Sequence, residues 1–261
     1  RVGMSDLRIR VLGPLEVERG GRALALSTPR LREVLGILVA AHGRVVSTNA
    51  LIDDLWEDDP PAGAVGAVRT FVGELRRALE PDRGSGHPPA ELVTVVDGYA
   101  FRVAENAVDA WSVAWAPGAA SALRPDRADD LLTEALSEWR GSAFEEFADR
   151  PWTGPVRATL ASLRTRIIEQ LAHARIERGR PASAVALLDP FVVEQPWNEE
   201  AVRLLALALH RNGRSPSAFR VLAQARERFA IDFGIDPSMP VETLFHRMSV
   251  QDPTLDGGSR L

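Results

Sequence analysis

The residues able to act as nucleophiles, general bases or metal ligands are scattered along this chain. His42, His87, His173, His210 and His246 fall in neither the His-x-x-x-His nor the His-Glu-x-x-His spacing that sets two imidazoles on one helical face around a metal. They read as surface or capping residues. There is no cysteine, so disulfides, thiolate nucleophiles and Cys-ligated zinc or iron–sulfur sites are excluded. All 31 basic residues are arginine, which removes Schiff-base chemistry, a pyridoxal lysine and the lysine of a P-loop. No Gly-x-Ser-x-Gly elbow occurs, Arg19-Gly20-Gly21-Arg22 reads as a turn, and no dinucleotide fingerprint follows a strand. The expectation is a protein that is not an enzyme and needs no metal or cofactor.

Basic residues do converge on one helix. Projected at 100° per residue, the segment from Gly63 to Leu79 puts Val65, Val68, Val72, Leu75 and Leu79 in a buried stripe, with Phe71 at its edge. The opposite face holds Gly66, Thr70, Gly73 and Arg77. Arg69 and Arg76 flank it, and Glu74 lies on the other border. Guanidinium forks suit guanine edges and phosphates, and small residues allow close approach to a duplex. The alternative is a solvated polar face. Two interior glycines, each costing a helix roughly 1 kcal/mol relative to alanine, ask for a reason.

The elements that must position this face follow from periodicity. Leu7, Ile9 and Val11 alternate with arginines, Gly13-Pro14 breaks the run, Leu15 to Glu18 alternates again, and Gly20-Gly21 turns into a third strand over Ala23–Leu26. Thr28 caps a first helix with Pro29 in its first turn and Leu31, Val34, Leu35 and Leu38 on one face; His42-Gly43 ends it. Ser47 caps a second helix bearing Leu51, Ile52, Leu55 and Trp56. The third helix follows, then a loop from Pro81 to Pro89, then two apolar runs around Asp97-Gly98, a hairpin signal. Three helices with a hairpin behind the third describe a winged helix-turn-helix whose third helix enters the major groove.

From about Val108 the pattern is helical: Ala128 to Trp139, Val156 to Arg178, Ala182 to Gln195, Glu199 to His210, Ser217 to Phe229 and Val241 to Met248. Gly179-Arg180-Pro181-Ala182-Ser183-Ala184 recurs 34 residues later as Gly213-Arg214-Ser215-Pro216-Ser217-Ala218, and Leu188 maps onto Leu222. That is the tetratricopeptide period, two antiparallel helices per unit. Trp111, Trp115, Trp139, Trp152 and Trp197 read as core packing and helix-pair staples. The fold expected is therefore an α+β winged-helix domain over residues 1–105 and an all-α, tetratricopeptide-like domain over 106–261. No apolar run reaches the roughly 18 residues of a membrane span, and the first residues lack the apolar stretch and cleavage site of a secretory signal, so a cytoplasmic place is expected.

This combination resembles the SARP family, the AfsR-related antibiotic regulatory activators of actinobacteria. The resemblance rests on Ile9 to Val17, Pro29 to Leu35, Val45-Val46-Ser47, Leu51 to Trp56 and Arg69 to Leu79 in the first half. In the second it rests on Leu136 to Gly141, Leu207 to Arg214, Phe233 to Pro237 and Gln251-Asp252-Pro253. It implies an OmpR-type winged helix followed by a bacterial transcriptional activation domain. It also implies binding to direct repeats in promoter DNA, self-association there, and recruitment of RNA polymerase through the sigma factor and other subunits. Carried over, the DNA-binding positions are Arg69, Thr70, Gly73, Arg76 and Arg77 on the recognition helix, Ser47 at a phosphate-facing helix start, and Thr94 on the wing.

The chain departs from that family in three places. Gly73-Glu74 stand where Ser-Arg is usual, Val95-Val96-Asp97 replaces a wing that usually carries arginine, and Pro117-Gly118 should kink or end the first helix of the second domain. Residues 1–105 hold 13 arginines and 15 carboxylates, a balance of −2. These features keep two rivals open: a protein-interaction adaptor with decayed DNA binding, and a small-ligand sensor on the same fold. The acidic run Asp53, Asp54, Glu57, Asp58 and Asp59 reads as a solvated helix end and loop.

Overall fold

The computed structural model describes residues 6–81 and 88–256; the first five residues, His87 and most of the Pro81–Pro89 loop lie outside the described residues. The chain packs as two units. One takes residues 1–115 with 137–163, the other 116–136 with 164–261.

In the first unit, β1 (Leu7–Arg10), β2 (Glu16–Arg19) and β3 (Arg22–Ala23) form an antiparallel sheet in chain order, with Ile9 opposite Val17. Alternation buries Leu7, Ile9 and Val17. Gly20 and Gly21 turn between β2 and β3 at φ 57° and 74°. The third strand is shorter than the Ala23–Leu26 read from the sequence. Leu24 still donates to the Val17 carbonyl at 2.8 Å, but the chain then leaves the ladder to enter the helix cap at Thr28.

Helix α1 (Pro29–Ala40) starts as expected: Thr28 Oγ1 accepts from the Leu31 N–H at 3.2 Å and Pro29 occupies the first turn. His42 and Gly43, both at positive φ, carry the chain away. Strand β4 (Val46–Ser47) leads into α2 (Thr48–Trp56), where Ser47 Oγ accepts from Ala50 N–H at 3.0 Å. Helix α3 (Ala64–Leu79) packs Val68, Val72, Leu75 and Leu79 inward, in one core with Leu35, Leu38, Leu51 and Leu55. Strands β5 (Leu92–Val95) and β6 (Gly98–Phe101) close the winged helix, and β4 adds itself to give the order β4-β6-β5.

The hairpin turn is displaced by one residue from the sequence reading. The ladder closes at Val95 opposite Gly98, so the turn is Val96-Asp97, with Asp97 at φ 62°. Gly98 belongs to the strand for another reason. A Cβ there would collide with the Val46 carbonyl oxygen and lie 2.9 Å from Ser47 Cα. The glycine lets β4 approach.

Residues beyond 105 also pack into the first unit. Helix α4 (Asp109–Ser112) carries Asp109, whose buried carboxylate accepts from the N–H groups of Val11, Leu12 and Ala110. Burial pushes this carboxyl above its ordinary range, against the pull of those three donors. The 137–163 segment bonds to the same strip. Arg140 N–H donates to Leu12 O at 2.8 Å and Phe144 N–H to Val11 O at 2.7 Å. Phe147 and Trp152 lie over Gly36, where a Cβ would stand 3.0 Å from both rings.

The second unit contains α5 (Ala116–Ala120), α6 (Pro125–Ser137), the later part of α7 (Thr153–Glu177), α8 (Pro181–Glu194), α9 (Glu199–Arg211), α10 (Ser215–Phe233) and α11 (Met239–Ser249). The helix break expected at Pro117-Gly118 falls just ahead, at residues 113–115. Proline sits in the first turn of α5, where its missing N–H costs nothing. The 34-residue repeat appears atom for atom at two helix junctions. Gly179 and Gly213 lie at φ 68° and 72°, and Arg180 N–H donates to Arg175 O as Arg214 N–H does to Leu209 O, each at 2.8 Å. Ala184, Ala218, Leu188 and Leu222 are fully buried.

The tryptophans are not all core. Trp111 donates to the Val39 carbonyl at 3.1 Å and stacks on His42. Trp197 staples to α10 through Asp232 and Phe233, yet it and Trp115 are more than half exposed. Among the described residues no helix is long and apolar enough to cross a membrane.

Candidate nucleic-acid interface

Helix α3 owes its outward face to its inward one. Valines and leucines at 68, 72, 75 and 79 fix its rotation, and Ala64, one turn earlier, completes the buried stripe. Val65, read from the sequence as part of that stripe, is instead 43% exposed. The inward position of the first turn is already filled by Ala64, four residues before Val68.

Outward stand Gly66, Arg69, Thr70 and Arg77, with Gly73 half-buried among them. Nothing lies within 4 Å of a Cβ placed on Gly66 or Gly73. No neighbour within the described chain demands these glycines, and the room they leave faces outward. Arg69 makes no hydrogen bond or ion pair among the described residues. Thr70 Oγ1 donates to Gly66 O at 3.0 Å, and Arg77 Nε to Gly73 O at 3.3 Å.

Arg76 and Thr94 bond each other. Arg76 Nη2 donates to Thr94 Oγ1 at 2.8 Å, its Nε donates to Leu92 O at 2.8 Å, and its guanidinium lies 6.0 Å from the Tyr99 ring centre. This arginine pins α3 to the hairpin. At the hairpin's other side, Thr48 N–H donates to Asp97 O at 2.9 Å, stitching the turn to the start of α2.

These elements enclose a cleft of about 490 Å³. Ser47, Thr48 and Asn49 from the α2 start, Val65 and Arg69 from α3, and Thr94 and Asp97 from the hairpin line it. The structure thus gathers Ser47, Arg69 and Thr94 around one opening, with Thr70, Gly73 and Arg77 further along the outer face of α3. Thr48 and Asn49 were not singled out from the sequence; the cap at Ser47 was the signal, since a helix start offers its next N–H groups as well. Val96 tips the hairpin at 86% exposure, and Asp97 and Glu74 add negative charge beside the arginines.

Comparison with known proteins bears on this arrangement. Residues 21–103 match the family described as "Transcriptional regulatory protein, C terminal", and residues 107–248 match the bacterial transcriptional activator domain. The chain belongs to the SARP-type regulators. This SARP-type chain is 35% identical to the regulatory protein AfsR of Streptomyces coelicolor over 257 residues, 95% of this chain and 25% of AfsR. It is 27% identical to the regulatory protein DnrI of Streptomyces peucetius, covering 96% of this chain and 94% of DnrI. The solved structure of Mycobacterium tuberculosis EmbR in complex with a low affinity phosphopeptide superposes with a TM-score of 0.87 at 28% identity, over 97% of this chain and 68% of that one. The winged helix followed by a helical domain is thus the architecture of a known regulator. The chain spans about a quarter of AfsR's length.

Proposed function

We propose that this chain is a DNA-binding transcriptional activator. Helix α3 enters the major groove with Arg69 and Arg77, Gly66 and Gly73 let the backbone approach, and Ser47 turns the N-terminus of α2 toward a phosphate. The observation that carries the reading is Arg69, without a hydrogen bond or ion pair among the described residues, on an exposed helix face beside a helix start and a hairpin. Arg76 and Thr94 hold the wing in place rather than read bases. The family resemblance extends the proposal: copies bind direct repeats in a promoter, the helical unit recruits RNA polymerase through its sigma factor and other subunits, and the genes controlled make secondary metabolites such as antibiotics. The place of action is the nucleoid, in the cytoplasm.

A mobility-shift series with a random duplex pool, selected for sequences the chain retains, tests this. Enrichment of direct repeats is the expected outcome. Glu74, Asp97 and the charge balance of −2 favour one rival, a protein-interaction adaptor. A chain that retains no duplex even at low salt is that adaptor.

A further inference from the structure

A larger cleft lies within the first unit, away from the outer face of α3. It measures about 680 Å³, inside the range of small-molecule sites, and its wall is built largely from Trp111, Phe144, Trp152, Val156 and Leu160. Three charged or titratable side chains face it: His42, Arg44 and Asp54. His42 is stacked on Trp111 at 4.5 Å and bonded to Glu105. Arg44 is exposed and donates from Nε to Ala41 O.

Asp54 is different. Its carboxylate makes no hydrogen bond or ion pair among the described residues. Burial, with the neighbouring charges of Asp53 and Glu33, pushes its pKa upward, offset only in part by Arg150. Arg150 gives its hydrogen bonds to Glu33 and to backbone carbonyls, including that of Asp54 itself. A half-buried carboxylate on a cleft lined by indole rings, without a hydrogen bond or ion pair among the described residues and with Arg150 only partly offsetting its acidic neighbours, is an arrangement that a ligand cation relieves.

We infer that this cleft binds a small amphipathic amine, its ammonium group at Asp54 and its apolar or aromatic body along the wall of Trp111, Phe144 and Trp152. The inference concerns a site that the proposed DNA contacts do not use, and it stands or falls independently of them.

Tryptamine is the probe, with indole-3-propionate as the same ring system carrying a negative charge. Isothermal titration of the full chain should give saturable tryptamine binding with a dissociation constant below about 1 mM, and binding of indole-3-propionate weaker by about tenfold or more. Asp54→Asn should weaken tryptamine by about tenfold and keep the native circular dichroism spectrum, because the carboxylate it removes accepts no hydrogen bond among the described residues. Thr159→Trp, an exposed position on the cleft wall, should block the probe without touching Asp54. Absence of saturable tryptamine binding, equal binding of the two probes, or tryptamine binding unchanged in both variants overturns the inference.

Discussion

Arg150 bonds through Nε to the carboxylate of Glu33, a residue only 5% exposed, and through Nη2 to the carbonyls of Leu55 at 2.8 Å and Asp54 at 3.1 Å. One arginine from the 137–163 segment thus satisfies a buried carboxylate of α1 and closes the C-terminal end of α2. The two helices that precede the proposed recognition helix are held from outside the winged-helix sequence. Arg150→Ala leaves Glu33 with Arg30 and Trp152 as partners, leaves the Leu55 carbonyl to Arg30 alone and takes the arginine donor from the Asp54 carbonyl. Loss of a hydrogen bond to a charged group, with that group still paired, is worth about 1.5–3 kcal/mol. Urea unfolding of the full chain should show that loss, and Glu33→Gln a smaller one. Equal stability of Arg150→Ala and wild type would remove this coupling.

Gly98 sets the distance between β4 and β6. Its substitution by alanine pushes a methyl group into the Val46 carbonyl, at a cost of about 1–3 kcal/mol for overpacking. Thermal melting should fall accordingly in Gly98→Ala. The neighbouring turn tolerates change: Asp97→Gly, at φ 62°, should leave the melting point unchanged or raised, because glycine adopts that conformation without strain.

Arg76 should behave unlike its neighbour Arg77. Arg76→Ala frees the hairpin from α3 by removing bonds to Leu92 O and Thr94 Oγ1. DNA affinity then falls while its dependence on salt is kept, since no phosphate contact is lost. Anisotropy titrations at several salt concentrations separate the two effects. A shallower salt slope in Arg76→Ala would make it a phosphate contact after all.

The end of the helical unit carries an acid-sensitive clasp. Asp252 accepts from Arg247 and Thr254, and these bonds hold its pKa at about 2, below the ordinary 3.8. A depressed folded-state value means that the ionised carboxylate adds stability above about pH 4, and that this is lost as pH falls toward about 2. Asp252→Asn should therefore be less stable than wild type near neutrality, with the gap closing across that acid window. A gap constant with pH would show that Asp252 acts through shape alone.

Local chemistry made much of this fold legible. Thr28-Pro29 and Ser47 are caps that write their own geometry. Gly179 and Gly213 mark left-handed helix ends 34 residues apart because few other residues adopt that conformation cheaply. Amphipathic projection placed Arg69, Thr70 and Arg77 outward, as the structure has them. Non-local packing was the part the sequence did not mark. Arg140 and Phe144 meet Val11 and Leu12 through main-chain bonds across more than a hundred residues, which leave no periodic trace. Arg76 and Thr94 each lie on an element that the family resemblance gives to DNA, and nothing in their spacing shows that they also bond each other. The Asp97-Gly98 pair pointed to the right hairpin and the wrong turn, because the glycine answers to β4.

Everything turns on whether the open side of α3 meets phosphates and bases. The direct measurement is the salt dependence of binding to a selected direct-repeat duplex, for wild type, Arg69→Ala and Arg77→Ala. Each substitution should lower the slope of log affinity against log salt by about 1. Identical slopes and affinities in all three proteins would contradict it.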